Sequence, residues 1–151
     1  MIQDLKTKEA EQLLVNNYIG YLSFIEGKHP HCIPITFFYS KEHNAIISYA
    51  VDGHKIMAMR KNPNVSVLIT DIDSVTSWRC ALVHGTFEEL HSIDAQYYLH
   101  AFAEGVKSVI SKKEKEHPKF ISEFSAKLES IGIPIVYRIV LDDMTAKFRK
   151  D

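Results

Sequence analysis

The residues best suited to chemistry lie where the sequence passes from Ser48-Tyr49-Ala50, through Val51-Asp52-Gly53, to His54-Lys55. The first triplet ends a β-type run, and Lys55 falls in the first turn of a helical pattern. A helix start offers unpaired amide protons and a partial positive charge, and here a lysine ammonium and a serine hydroxyl would join them. Together they suit a phosphate group. The same residues also fit an ordinary strand-to-helix turn, with Asp52 as the N-cap and Lys55 in solvent. Spacing alone leaves both open, and the Asp52 carboxylate opposes an anion unless it points away.

Other reactive side chains are less organised. His29, His31 and Cys32 supply metal-binding atoms, but alternation along a strand puts the two histidines on one face and Cys32 on the other, and no second half of a site accompanies them. No metal is expected. Cys80 has no base beside it in sequence and reads as a small buried residue. His84 reads as a surface or core histidine. Trp78 is either core or a cover for a planar ligand, its indole N–H needing a partner.

The elements that must position these residues follow from periodicity. Residues 7–15 place Ala10, Leu13 and Leu14 on one helical face. Residues 18–26 are apolar on both alternate faces, as for a strand buried on two sides. After the turn Gly27-Lys28-His29-Pro30, residues 31–39 alternate as a second strand. Pro34 within it lacks an amide proton, so it marks an edge, a bulge, or backbone lying beside a ligand. Residues 45–50 form a third strand, a helix of two to three turns stops at Asn62-Pro63-Asn64, and residues 65–71 and 77–90 form the fourth and fifth strands, Gly85 marking a bulge. Ser92 caps a helix with an apolar stripe from Tyr97 to Ile110, residues 112–118 form a charged connection, and a further helix covers about residues 119–130. Residues 135–141 make a sixth strand, with a short return at 145–149. Hairpin-linked strands with few helical connections exclude a doubly wound parallel sheet and predict a mainly β (α+β) fold, a small antiparallel barrel with peripheral helices.

Composition bounds the function. The 151 residues fit one domain spanning 1–151, and a hydrophobic fraction of 46% supports a core. With 18 Lys and Arg against 19 Asp and Glu, the net charge of -1 offers no field to gather nucleic acid or an anionic membrane. Two distant cysteines and an N-terminal stretch without a long apolar run make a cytoplasmic location the expectation.

Three blocks, HCIPITFFY, IISYAVDGHKIMAMRKNPNVSVLI and WRCALVHGTFEEL, occur in an order and spacing that resemble the pyridoxamine 5′-phosphate oxidase-like superfamily of FMN-binding split barrels, nearest its nitroimidazole-reductase-like branch. The matching motifs are Pro34-Ile35-Thr36-Phe37, Gly53-His54-Lys55, Asn62-Pro63-Asn64-Val65, and Trp78 with Gly85. The resemblance covers about residues 7–91 and, more weakly, 135–147. It implies a six-stranded antiparallel split β-barrel that forms a homodimer, with FMN in clefts between the subunits. Ile33, Pro34, Ile35 and Thr36 would lie along the flavin ring, while Ser48, Tyr49 and Lys55 hold its phosphate, with His54 as an added donor. It places Trp78 facing the flavin, and Tyr137 and Lys147 toward the partner subunit's flavin. The implied activity is that of an FMN-dependent oxidoreductase, reducing a small, for instance nitroaromatic, molecule with electrons from NAD(P)H. The alternative is a flavin- or haem-binding protein of this fold without turnover. His54 stands where the true oxidase carries arginine, and that enzyme's C-terminal arginine motif is missing, so vitamin B6 is not the expected substrate.

Overall fold

The computed structural model describes residues 1–51, 53–114 and 134–151. The expected helix at 119–130 and the Asp52 cap lie outside them. In chain order the elements are β1 (Ile2–Asp4), α1 (Thr7–Val15), β2 (Ile19–Glu26), β3 (His29–Thr36), β4 (Phe38–Ser40), β5 (Ala45–Ala50), α2 (Gly53–Lys61), β6 (Asn64–Ser74), β7 (Ser77–Glu89), α3 (Ser92–Glu114) and β8 (Ile135–Lys150). Every strand pairing is antiparallel, in the order β3-β2-β6-β7-β8-β5-β4, with β1 on β8. The fold is an open, split antiparallel barrel with helices outside it.

Among the described residues there are eight strands, where six were expected. The stretch expected as one strand over 31–39 divides at Phe37: β3 pairs with β2, and β4 pairs with β5. The two ends of the sheet are therefore covalently continuous. Phe37 forms the corner, its side chain fully buried and its amide donating to the Tyr18 carbonyl at 2.8 Å. An alternating apolar pattern does not reveal a change of partner, because both edges bury the same face. β1 is short and exposed, so it carries no hydrophobic signal. The expected return at 145–149 is the second half of β8, which pairs with β7 along its length, with β5 in its first half and β1 in its second.

β2 corrects a second expectation. Leu22 and Phe24 are buried, but Ile19, Tyr21 and Ile25 are exposed, so the strand packs on one face only. A barrel has one interior, and the alternate side chains of its wall point outward. The Gly85 bulge is present: the β7/β8 register shifts between His84 and Gly85, and a Cβ at Gly85 would lie 2.6 Å from the Val140 carbonyl oxygen.

The interior of the barrel is filled by side chains such as Leu22, Phe37, Val67, Ile69, Val83 and Ile139, with Leu13 and Leu14 of α1 and Ile56 and Met59 of α2 joining this core. A second cluster seats α3 against β5 and β8 through Tyr98, Phe102, Val106 and Ile110, at helical i, i+4 spacing. Tyr97, expected in that stripe, faces solvent. The helix also continues through Glu114, into residues expected as a connection. No helix among the described residues is long and apolar enough to cross a membrane.

Candidate functional site

The barrel is split between β3 and β5. Among the described residues β3 forms a ladder only with β2, and β5 only with β4 and β8, so the two strands face each other without backbone pairing. A side-chain hydrogen bond spans the seam: Ser48 Oγ donates to the Thr36 carbonyl at 2.7 Å. Beyond this contact the seam opens into a cleft of about 440 Å³. That volume lies in the range of small-molecule pockets, roughly 300 to 1,000 Å³.

Of the nine residues that the resemblance sets against the flavin, Trp78 included, eight line this cleft. Ile33, Pro34, Ile35 and Thr36 come from β3, Ser48 and Tyr49 from β5, and His54 and Lys55 from the first turn of α2. Pro34 sits on an edge strand, where its missing amide proton breaks no ladder on the cleft side. Tyr49 is braced by an edge-on contact with Phe102, ring centroids 5.4 Å apart, and burial raises its phenol pKa. One wall is thus apolar with open backbone groups, and one end carries a lysine at a helix start. This combination suits a flat aromatic ligand bearing an anion.

His54 is partly committed elsewhere. Its Nε2 lies 2.8 Å from a Glu26 carboxylate oxygen, tying the α2 start to the end of β2. Gly27, with φ of 62°, then turns the chain into β3. Lys55, beside His54 in the first turn of α2, is the lysine that lines the cleft.

Trp78 does not join this cleft. It lies at the far end of β7, opposite Arg149 on β8, in a separate recess that also includes Asp71, Arg79 and Lys113. Tyr137 cannot face a partner subunit: it is fully buried, directly across from Ser48 in the β5/β8 ladder. Among the described residues its hydroxyl meets no partner in good hydrogen-bonding geometry, and burial pushes its pKa up to about 12, an effect the neighbouring Ser48 hydroxyl partly offsets. Lys147 is paired with Asp4, joining β8 to β1. His84 is exposed beside Asp143, and Cys80 is half-buried and free. Among the described residues no three His, Cys, Asp or Glu side chains converge as a metal site.

Four further residues line the cleft, Phe24, His31, Ala50 and Val51, none of them expected as a ligand contact. Phe24 and His31 form a stacked pair, centroids 5.2 Å apart and planes within 11°, and both border the cleft. His31 drew attention only as a metal ligand, although it shares the strand face of Ile33 and Ile35, and that alternation was the signal available.

Comparisons with known proteins bear on the fold. A family model described as pyridoxamine 5′-phosphate oxidase matches residues 6–148. The structure of a FAD-binding protein from Mesorhizobium loti is similar, with a TM-score of 0.75 and 22% identity, covering 100% of this chain and 98% of that one. A FAD- and haem-binding protein from Mycobacterium smegmatis gives a TM-score of 0.71 at 16% identity, covering 97% and 72% of the two chains. A candidate 5-nitroimidazole antibiotic resistance protein from Bacteroides thetaiotaomicron gives 0.69 at 14% identity, covering 100% and 91%.

Proposed function

The chain belongs to the pyridoxamine 5′-phosphate oxidase family, and from that premise we propose that it holds FMN in the β3/β5 cleft and works as an oxidoreductase. The carrying observation is the convergence of the apolar β3 edge and Lys55 at the start of α2 on one cleft. A bound flavin would supply the electron-transfer chemistry. Lys55, the α2 amides and Ser48 would bind its phosphate, and Ile33 to Thr36 would orient the ring and exclude water from its face. A small, electron-poor acceptor such as a nitroaromatic compound, with NAD(P)H as donor, fits a site whose residues bind and orient.

The functional unit in this reading is a homodimer. Ile19, Tyr21 and Ile25 give β2 an exposed apolar face suited to pairing with a copy. Because Trp78 lies away from its own chain's cleft, a flavin contact by Trp78 would be made to the partner subunit's cofactor. Light scattering tests the pairing, and a monomeric mass at micromolar concentration would contradict it.

A flavin- or haem-binding role without turnover is the second reading. It is favoured by the His31 imidazole bordering the cleft and by similarity to the FAD- and haem-binding protein. Absorption spectra separate the cases. Flavin binding gives visible flavin bands after FMN addition, haem binding gives a Soret band after hemin addition, and a protein unchanged by either has neither function. Oxidation of NAD(P)H by the FMN-loaded protein, with and without a nitroaromatic acceptor, then separates enzyme from carrier.

A further inference from the structure

Among the described residues, the Tyr137 hydroxyl is the one fully buried side-chain polar atom with no hydrogen-bond partner. Native proteins rarely leave such a group orphaned, so it calls for a physical reason. The surroundings of Tyr137 are apolar, with the Phe87 ring 5.5 Å away, and the side chain opposite it on β5 is Ser48. Tyr137 is 0% exposed and Ser48 2%. Ser48 in turn gives its single proton to the Thr36 carbonyl at 2.7 Å. A serine hydroxyl can donate one hydrogen bond and accept two, so Ser48 Oγ has acceptor capacity left. Tyr137 on β8, Ser48 on β5 and Thr36 on β3 thus form a polar line across the seam, and Ser48 and Thr36 border the cleft.

We propose that Tyr137 is a positioning residue for the ligand of this cleft, acting through Ser48. When a phosphate-bearing ligand enters, Ser48 turns its proton from the Thr36 carbonyl to a ligand oxygen, and the Tyr137 hydroxyl donates to Ser48 Oγ. The released Thr36 carbonyl stays on the cleft wall, within reach of ligand or water. Each donor in the chain strengthens the next, so the buried tyrosine makes Ser48 a better donor. The tyrosine–serine bond is completed as Ser48 turns to the ligand, so it adds to ligand affinity far more than to the stability of the flavin-free protein. This inference rests on the reading of the cleft as an FMN site.

Tyr137→Phe keeps the ring and its packing and removes only the hydroxyl. FMN titration by fluorescence quenching is expected to show a dissociation constant weakened about three- to tenfold, the usual contribution of one neutral hydrogen bond. The thermal midpoint of the flavin-free variant is expected to hold or rise, because an orphaned polar group is gone. In a Ser48→Ala background the same change is expected to leave FMN affinity untouched. An unchanged dissociation constant in the single variant overturns the proposal, as does a midpoint that falls in step with affinity, or an equal loss in the Ser48→Ala background. FMN binding that ignores Tyr137→Phe overturns this inference alone, whereas wild-type protein that takes up no FMN ends both it and the reading of the cleft.

Discussion

The wall formed by β6, β7 and β8 and the seam between β3 and β5 use similar apolar strands, yet their backbone hydrogen bonds go to different places. β7 is laddered to β6 from Ser77 to Thr86 and to β8 from Ser77 to Glu89, and its interior side chains Ala81, Val83 and Phe87 are buried. At the seam the cleft-facing edge of β3 has no strand partner among the described residues, and the Ser48 to Thr36 contact stands in for a ladder. Backbone polar groups must find partners, so an unpaired edge must be met by water, side chains or a ligand. The wall therefore carries stability, while the seam carries binding capacity. The polar side chains at the seam, Ser48, His54 and Lys55, are expected to matter chiefly when the cleft is filled.

Substitutions can break that division. The largest effect is expected from Ile69→Ala, which empties a fully buried wall position: about 2 to 5 kcal/mol lost from stability, read by urea denaturation, with FMN affinity of the folded fraction unchanged. At the other pole, Lys55→Ala removes a charge-assisted contact of about 1.5 to 3 kcal/mol, so FMN affinity is expected to fall about tenfold to a hundredfold while the flavin-free thermal midpoint moves far less than with Ile69→Ala. An affinity loss for Ile69→Ala, or a stability loss for Lys55→Ala as large as that for Ile69→Ala, would dissolve the contrast.

Alkaline stability sharpens it further. The folded pKa of Tyr137 is raised to about 12 from an ordinary 10.0, because burial disfavours the phenolate. Between these values the folded state holds a proton that the unfolded state has released. Tyr137 thus adds no pH dependence below the unfolded pKa, and stability falls by about 1.4 kcal/mol per pH unit as pH rises from about 10 toward 12. Tyr39 and Tyr49, also raised by burial, push the same way. Tyr137→Phe is expected to flatten the slope and leave their part, as measured by denaturation at a series of alkaline pH values. The smallest effect belongs to His54→Ala: the exposed pair with Glu26 contributes about 0 to 1 kcal/mol, and added salt should shrink the difference in thermal midpoint.

How far the sequence speaks follows the same division. Wall strands and the α3 stripe were legible because each has a single buried face, which writes a period of two or of 3.6 into the residues. Gly85 was legible because a side chain there would strike the neighbouring strand. The seam was legible only in part. Pro34 announced an edge and Lys55 a helix start, and the structure brings both to one cleft. The break at Phe37 left no trace, since β3 and β4 bury the same face on either side of it. Exposure of the outer face of β2 was also hidden, because an apolar residue looks the same in sequence whether a neighbour covers it or not. Trp78 was placed by resemblance alone, and no local pattern could locate it at the opposite end of β7 from the bulge.

The central claim, that the seam is a flavin site anchored at Lys55, is tested most directly by titrating flavin-free wild-type protein and Lys55→Ala with FMN while recording fluorescence quenching. Saturable binding of one FMN per chain, weakened tenfold or more by the substitution, is the predicted result. No quenching with wild-type protein, or equal affinity in the two proteins, would contradict it.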